Sequence, residues 1–454
     1  MSMNDGLVCT RKLSYEEARA YIQTLSSYGS VLGLDSIREL LKRLGNPQDL
    51  LTFIHVGGTN GKGSTSAYIT SILVEAGYFV GRYISPVVRC YEECIQFSYT
   101  SSKKPVETKT DYVEQERIAS YISTIREVCN QMVEEGLPHP TPFEVETAMA
   151  MLAFVEKKCD YVVLEVGLGG RLDATNVIET VALSIITSIS MDHMQFLGNT
   201  LEEIAYEKAG IIKRHVPVVS YEQEPTVRDV IEKTCDTMET QLVEIRKEDV
   251  KQIHATLEGT TFLYEAKEVE GKEEPFYIPL LGEHQIYNGI LAIQAAYALK
   301  RQGLHITEDH IRLGLANTTW IGRFSILGKT PTLIVDGAHN MDAAVWLSKS
   351  LSHYFKEKKG IFLIGVLADK EYEEIVRLTA PFAKKFITIT PNNGRALPSD
   401  ELAKVVRKFC RDVTDGKTVR EGLRIARQHA TEEDFILCYG SLSFLGEIME
   451  ELNI

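Results

Sequence analysis

The fold is decided by one stretch of the chain, Phe53-Ile54-His55-Val56-Gly57-Gly58-Thr59-Asn60-Gly61-Lys62-Gly63-Ser64-Thr65. An apolar, strand-like run leads into a glycine-rich loop, and the pattern predicts a helix from Thr65 to Ala76. Glycines let a backbone fold around an oxyanion with its N–H groups turned inward. The N-terminus of the following helix adds partial positive charge. The stretch therefore predicts a phosphate-binding loop.

Side chains of the loop support the same prediction. Lys62 brings a full positive charge to the outer phosphates of a nucleotide, and Ser64 or Thr65 offers a hydroxyl to a magnesium ion. Val56 and Gly63 depart from the usual pattern G-x-x-x-x-G-K-[ST], so a plain glycine-rich turn is the alternative. The predicted nucleotide-binding residues of the loop are Gly58, Thr59, Asn60, Gly61, Lys62, Gly63, Ser64 and Thr65.

Short apolar runs alternate with helical segments on both sides of this stretch, which is typical of a mostly parallel, doubly wound α/β sheet. Further predicted strands of the first domain are 80–84, 161–166 and 181–186, with a long helix at 284–299. The pattern restarts with predicted strands at 332–335, 361–367, 386–390 and 435–439. We predict a P-loop domain over residues 1–321 and a smaller Rossmann-like α/β domain over residues 322–454.

Two segments do not follow the alternation. Residues 242–278 are charged and punctuated by glycine, so they predict antiparallel strands or hairpins at the edge of the first domain. Residues 98–111 are polar and predict a loop.

The composition limits the classes of function. A net charge of -14 argues against a nucleic-acid-binding surface, which needs a clustered basic face. No segment reaches the roughly 20 apolar residues that cross a bilayer, so we expect no membrane partner and a cytoplasmic location. The 8 cysteines are scattered and predict free thiols.

Polar residues follow the predicted strands of the first domain. Glu165 ends one strand, and Asp192 and His193 follow another, where ligands of such sheets bind. Glu165 could hold magnesium or simply cap a helix, and His193 would be an unusual magnesium ligand. Lys208 lies at a helix end and, judged locally, fits a solvated cation.

Six motifs in order resemble folylpolyglutamate synthase and its bifunctional dihydrofolate synthase relatives, in the Mur ligase superfamily. They lie at residues 55–64, 164–176, 207–210, 282–288, 320–323 and 336–340. The resemblance implies a two-domain ligase that uses ATP to join L-glutamate to a folate. The acceptor carboxylate would form an acyl phosphate, which the glutamate amine then attacks. We expect a monomer with small-molecule substrates.

The resemblance also implies roles for individual residues. Lys62, His193 and a carbamylated Lys208 would be catalytic, and two magnesium ions would be held by Ser64, Ser85, Glu165 and His193. ATP would in addition meet Asn288, Arg323, Asp336 and His339. We assign Arg171, Asp173 and Ser441 to substrate binding, with Ser443 at a position where the family carries tyrosine.

The departures from the family lie mostly in residues 85–95, called the acceptor loop below. The family has Ser-Pro-His-Leu followed by Glu-Arg-Ile beside the pterin substrate. This chain keeps Ser85 and Pro86 but has Val87 and Val88 next, and Cys94 in place of the arginine. The acceptor is therefore less firmly predicted than the ATP chemistry.

Three alternatives stay open on the sequence alone. A Mur-type ligase could act on a carboxylate other than folate. A GTPase or kinase switch would lack the base-reading Asn-Lys-x-Asp motif and would leave the second domain unexplained. A regulatory nucleotide-binding protein without turnover would have little use for Lys62, Glu165, His193 and Lys208 together.

Overall fold

The computed structural model describes residues 11–25, 33–101, 108–267, 269 and 273–453. Helices of the first domain are α1 Tyr15–Thr24, α2 Asp35–Arg43, α3 Lys62–Glu75, α4 Gln115–Glu134, α5 Pro142–Lys157, α6 Met194–Leu197, α7 Leu201–Ala209, α8 Pro225–Thr237, α9 Glu283–Arg301 and α10 Glu308–Ala316. Helices of the second domain are α11 Met341–Tyr354, α12 Tyr372–Thr379, α13 Ser399–Val406, α14 Val419–His429 and α15 Leu445–Leu452.

Two sheets form in the first domain. Their strands are β1 Phe53–Gly57, β2 Val80–Tyr83, β3 Ile95–Thr100, β4 Thr108–Tyr112, β5 Tyr161–Glu165, β6 Val181–Ile186, β7 Val218–Ser220, β8 Leu242–Glu244, β9 Val250–Thr256, β10 Gly259–Tyr264 and β11 Phe276–Ile278. The large sheet has the order β4-β3-β2-β5-β1-β6-β7-β8, and the small antiparallel sheet has the order β11-β10-β9. Strand β1 lies in the interior of the large sheet and is parallel to both of its neighbours, β5 and β6. The carboxyl ends of these three strands therefore lie at the same edge of the sheet.

The second domain has one sheet. Its strands are β12 Ser325–Lys329, β13 Thr332–Asp336, β14 Gly360–Ile364, β15 Ala383–Ile389, β16 Val413–Lys417 and β17 Phe435–Tyr439. The order is β12-β13-β17-β14-β15-β16, and only β12 is antiparallel to its neighbour. The predicted fold class, two mostly parallel α/β domains, is confirmed.

The core explains why these runs became strands. All residues of β1, β14 and β17 are buried, as expected for parallel strands covered on both faces. Helix α3 is buried from Gly63 to Val74 because it packs between the sheet and helices α9 and α10. It begins at Lys62, three residues before the predicted start, directly after the left-handed Gly61.

Two predictions about the edge of the first domain need correction. The predicted loop at 98–111 is wrong where the structure describes it, because Ser98 lies in β3 and Asp111 in β4, which pair as an antiparallel hairpin. Strand β4 is exposed at four of its five residues, so it lacks the apolar run by which a strand is predicted. Within 242–278, β9 to β11 are antiparallel as predicted, but β8 joins the large sheet parallel to β7.

The described helices include none that is both long and apolar enough to span a membrane. The described cysteines are free thiols. Between the end of α10 and the start of β12, residues 317–324 connect the two domains.

Candidate active site

Two adjoining cavities lie where the domains face each other. The smaller cavity, of about 170 Å³, is lined by the phosphate loop, by the ends of β5 and β13 and by the start of α9. The larger cavity, of about 880 Å³, is lined by the acceptor loop and by segments of both domains. Ser85, His193 and His339 line both cavities, so the two spaces meet at these side chains.

The phosphate loop is held tightly against the end of β6. Gly58 has a φ of 139°, and a Cβ atom there would lie 1.9 Å from Thr187 Oγ1, so only glycine fits. The Thr59 amide donates to the Ser188 carbonyl over 2.7 Å, and the Thr59 hydroxyl bonds the Ser190 backbone over 3.1 Å. The side chain of Thr59 therefore shapes the loop.

Two lysines converge on one carbonyl of this loop. Lys208 Nζ donates to the Gly58 oxygen over 2.8 Å, and Lys62 Nζ donates to the Gly58 and Thr59 oxygens over 3.2 Å. Burial, together with the nearby charge of Lys62, lowers the pKa of Lys208 to about 7. Near neutral pH, Lys208 is therefore an uncharged, nucleophilic amine in a large fraction of the molecules.

The predicted metal ligands Ser64, Ser85, Glu165 and His193 all line the smaller cavity. Burial raises the pKa of Glu165 to about 7, against the charges of Lys62, Arg323 and Arg82, and lowers the pKa of His193. The Glu165 carboxylate accepts no hydrogen bond from a described residue, so its oxygens are free for a cation.

This donor set fits magnesium better than a transition metal. In the described ranges, no group of three or more His, Cys, Asp or Glu side chains is arranged to hold a metal ion. Magnesium typically takes one or two carboxylates and completes its shell with water and phosphate oxygens. One buried carboxylate beside two serines and a phosphate loop meets that requirement.

Helix α9 and the domain connection hold the other side of the loop. Gln285 Nε2 donates to Ser64 Oγ over 3.2 Å, and Asn288 Nδ2 donates to Gln285 Oε1 over 3.1 Å. The ring of Trp320 lies against Gly63, where a Cβ atom would be 2.8 Å from Cζ2. A second tryptophan, Trp346, lines the smaller cavity from α11.

Three predicted ATP-binding residues line the smaller cavity from the connection and the second domain. Burial raises the pKa of Asp336, and its carboxylate accepts from the Phe324 and Ala338 amides over 2.7 Å each. His339 Nδ1 lies 2.8 Å from the Gly337 carbonyl, which assigns the proton to Nδ1 and leaves Nε2 as an acceptor. Burial lowers the pKa of Arg323, and the negative charges of Asp336 and Glu165 oppose this shift.

Polar contacts join the two domains beside the smaller cavity. Asn60 Nδ2 donates to Asp342 Oδ2 over 2.8 Å, and Asn340 Nδ2 donates to Asp192 Oδ2 over 3.2 Å. Lys370 Nζ forms a salt bridge of 3.2 Å with Asp192 Oδ1, and both side chains are largely buried. Burial raises the pKa of Asp192, but the charges of His193 and Lys370 hold it below its ordinary value.

The structure separates the predicted substrate residues. Asp173 and Ser441 line the larger cavity. Arg171 lines neither cavity and instead pairs with Glu207 over 2.8 Å, close to the ring of Tyr206. Thr65 is buried behind the loop, whereas the other predicted loop residues line the smaller cavity.

Sequence reasoning missed several residues of these cavities. Gln285 lies inside the motif at residues 282–288, but nothing in the sequence around it indicates a role for this residue in particular. Lys370 follows β14 in a polar turn, and only its salt bridge with Asp192 distinguishes it from a solvated cation. Arg89 also lines the larger cavity, in the acceptor loop.

Comparisons with known proteins agree with this geometry. The chain matches the family models "Mur ligase middle domain" over residues 100–296 and "Mur ligase, glutamate ligase domain" over residues 322–442. It is 31% identical over 446 residues to the dihydrofolate synthase/folylpolyglutamate synthase of Bacillus subtilis, covering 97% of this chain and 99% of that protein.

Solved structures show the same similarity. Folylpolyglutamate synthase of Thermotoga maritima superposes with a TM-score of 0.81 at 34% identity, covering 97% of this chain and 96% of that one. Folylpolyglutamate synthase of Mycobacterium tuberculosis, complexed with ADP and AMPPCP, superposes with a TM-score of 0.83 at 26% identity. That match covers 96% of this chain and 98% of that one.

Proposed function

The chain belongs to the dihydrofolate synthase/folylpolyglutamate synthase family, and we propose that it joins L-glutamate to a folate carboxylate at the expense of ATP. Such a reaction needs a phosphate site and an acceptor site that meet at the reacting atoms. The observation that carries the proposal is the pair of cavities that share Ser85, His193 and His339. The alternatives without ligation would leave the larger cavity without a use.

The chemistry has two balanced steps. An oxygen of the acceptor carboxylate attacks the γ-phosphorus of ATP, the bond from phosphorus to the ADP oxygen breaks, and an acyl phosphate forms. The glutamate nitrogen then attacks the acyl carbon, phosphate leaves, and the nitrogen loses a proton to give the amide. Phosphoryl transfer depends mainly on positioning and on neutralising charge, which Lys62 would provide after leaving the carbonyls of its own loop.

Ser64, Ser85, Glu165 and His193 are the residues that we propose to hold magnesium, with two ions expected from the sequence resemblance. Magnesium bound there would neutralise charge on the transferred phosphate. Burial keeps the pKa of Glu165 near 7 when no cation is bound. Glu165 would therefore hold magnesium best at a pH where its carboxylate is ionised. Asn288 and Arg323 line the same cavity and would contact the nucleotide.

Lys208 would become carbamylated. Its uncharged amine attacks the carbon of carbon dioxide, an N–C bond forms, and the nitrogen loses a proton to leave a carbamate anion. The pKa near 7 supports this proposal because it makes the amine available at neutral pH. Labelling with ¹³C bicarbonate should give a carbamate resonance by NMR that is missing in Lys208→Arg, and an identical resonance in both proteins would contradict the assignment.

The proposed function is tested by glutamate-dependent phosphate release. Release should require ATP, L-glutamate and either tetrahydrofolate or dihydropteroate, and the product should gain the mass of one glutamate residue. If neither acceptor stimulates release, the folate assignment fails, and a screen of other carboxylates would then test the Mur-type alternative. Action as a monomer in the cytoplasm stays a prediction from the sequence.

A further inference from the structure

The acidic side chains on the wall of the larger cavity already have partners. Asp173 accepts from the Leu168 amide over 2.7 Å and from the Thr175 amide over 3.0 Å. Glu144 accepts from the Thr141 amide and hydroxyl over 2.7 and 2.9 Å. Both carboxylates therefore stabilise local turns, and neither is free to pair with a cation on the opposite wall.

Most cations on this wall also have partners. Arg395 lies 3.3 Å from the carboxylate of Asp369, and Lys370 pairs with Asp192. The guanidinium of Arg19 lies 3.4 Å from the centre of the Tyr91 ring. Arg19 has no salt bridge or hydrogen bond among the described residues, and its buried Nη1 lacks a hydrogen-bond partner. Arg89, an exposed residue that likewise has neither, differs because its guanidinium also contacts no aromatic ring within the part of the chain that the structure describes.

The backbone of Arg89 is fixed from two sides. Glu93, which is 8% exposed, accepts from the Val88 and Arg89 amides through Oε2 over 2.8 and 2.9 Å. On the other side, α15 approaches so closely that a Cβ atom on Gly446 would lie 2.5 Å from the Val88 oxygen and 3.3 Å from the Arg89 oxygen. A cationic side chain without a partner is thus presented from a rigid turn, which favours selective binding.

We propose that Arg89 is a specificity residue that binds a non-reacting carboxylate of the acceptor, and that the larger cavity is built for folates that already carry glutamate. This inference rests on the proposed function. Dihydropteroate has one carboxylate, which is the reacting group, so it offers Arg89 nothing. Tetrahydrofolate reacts through its γ-carboxylate and keeps a free α-carboxylate, and each added glutamate contributes another. Arginine matches a carboxylate in both charge and shape.

The experiment compares acceptors in wild type and Arg89→Gln, which keeps the length of the side chain but removes its charge. We expect the KM for tetrahydrofolate to rise about tenfold, the usual scale for one charged hydrogen bond. The KM for its diglutamate should rise at least as much, and the KM for dihydropteroate at most twofold. Arg89→Lys should recover part of the loss, because it restores the charge without the planar guanidinium.

Arg246→Gln is the matched control, because the side chain of Arg246 is exposed to solvent and lines neither cavity. Equal shifts for tetrahydrofolate and dihydropteroate, or no shift for either, would overturn the inference while leaving the ligase intact. Wild type that uses dihydropteroate alone would overturn it too. Direct binding measurements distinguish failure of the inference from failure of the proposed function. If wild type binds neither acceptor, the proposed function fails together with the inference.

Discussion

The smaller and the larger cavity share a wall but are built differently. The smaller cavity is formed around a loop in which close backbone contacts leave little freedom, as at Gly58 against Thr187. The larger cavity has about five times the volume, about 880 against 170 Å³, and its wall comes from loops of both domains. The first is centred on a short stretch of sequence and completed by strand and helix ends of both domains, whereas the second depends throughout on how distant loops meet.

The difference teaches where specificity can change. Nucleotide chemistry needs a fixed set of charges and glycines, so a change there should abolish activity. The acceptor loop can change single side chains, such as Val87, Val88 and Arg89, while Ser85 stays in place at the junction. The predictions below test this contrast between an intolerant cavity and an adjustable one.

The largest effect is expected for Lys62→Ala. Losing the charge that meets the transferred phosphate should lower kcat by about 10²- to 10³-fold. The measurement is glutamate-dependent phosphate release at saturating ATP. Lys251→Ala removes a lysine from the exposed strand β9 and should behave as wild type. Full activity of Lys62→Ala would take the loop lysine out of the mechanism.

Gly58→Ala should have the next largest effect. Its Cβ atom would overlap Thr187 at a φ of 139°, so the loop must move, and we expect ATP affinity to fall about a hundredfold, from roughly 3 kcal/mol of strain and displaced contacts. Isothermal titration calorimetry with a non-hydrolysable ATP analogue measures this affinity. Gly394→Ala, where a Cβ atom meets nothing within 4 Å, is the control. Unchanged affinity would mean that the loop is more pliable than its contacts indicate.

His55, in the strand before the loop, should make stability depend on pH. Burial lowers its pKa from 6.5 to about 3. Below pH 6.5 the unfolded chain therefore binds a proton that the folded chain does not, and stability falls as pH falls. From pH 7 to pH 5, wild type should lose about 2 kcal/mol more than His55→Gln in urea unfolding. His429→Gln, on α14, should follow wild type, and parallel curves for His55→Gln would contradict the prediction.

Gly446→Ala tests the larger cavity with the smallest expected effect. Alanine suits helix α15, but its Cβ atom would lie 2.5 Å from the Val88 carbonyl oxygen, so the backbone must shift and stability should fall by about 1 kcal/mol. The KM for tetrahydrofolate should rise about fivefold from a shift of this loop, with the KM for ATP unchanged. Gly328→Ala, where a Cβ atom meets nothing nearer than 3.6 Å, is the control. An equal rise in both KM values would mean that the two cavities are not separable.

Prediction from sequence succeeded where the signal is local. The strand, loop and helix around Lys62 are adjacent in the chain, and buried parallel strands such as β14 are apolar throughout. It failed for the hairpin of β3 and β4, because an exposed edge strand such as β4 lacks the apolar run. Pairing across the sheet, which is not visible in a local pattern, defines these strands.

The same distinction holds for the site. Motif residues such as Glu165 and Asp336 line the smaller cavity because each ends a strand of its sheet. Arg171 belongs to a motif loop, but it lines neither cavity and its charge pairs with Glu207, so its assignment to the substrate stays a prediction. Lys370 was missed because its partner, Asp192, lies 178 positions away in the chain. Such pairs depend on the docking of the domains.

The contact of Trp320 with Gly63 has a practical consequence. The chain has 2 tryptophans; Trp320 lies against the phosphate loop and Trp346 lines the smaller cavity. When tryptophan is excited selectively over tyrosine, the emission of the protein therefore arises beside the smaller cavity, without any introduced dye. Stopped-flow emission would follow nucleotide arrival in real time, and single Trp→Phe variants would report the loop and the second domain separately.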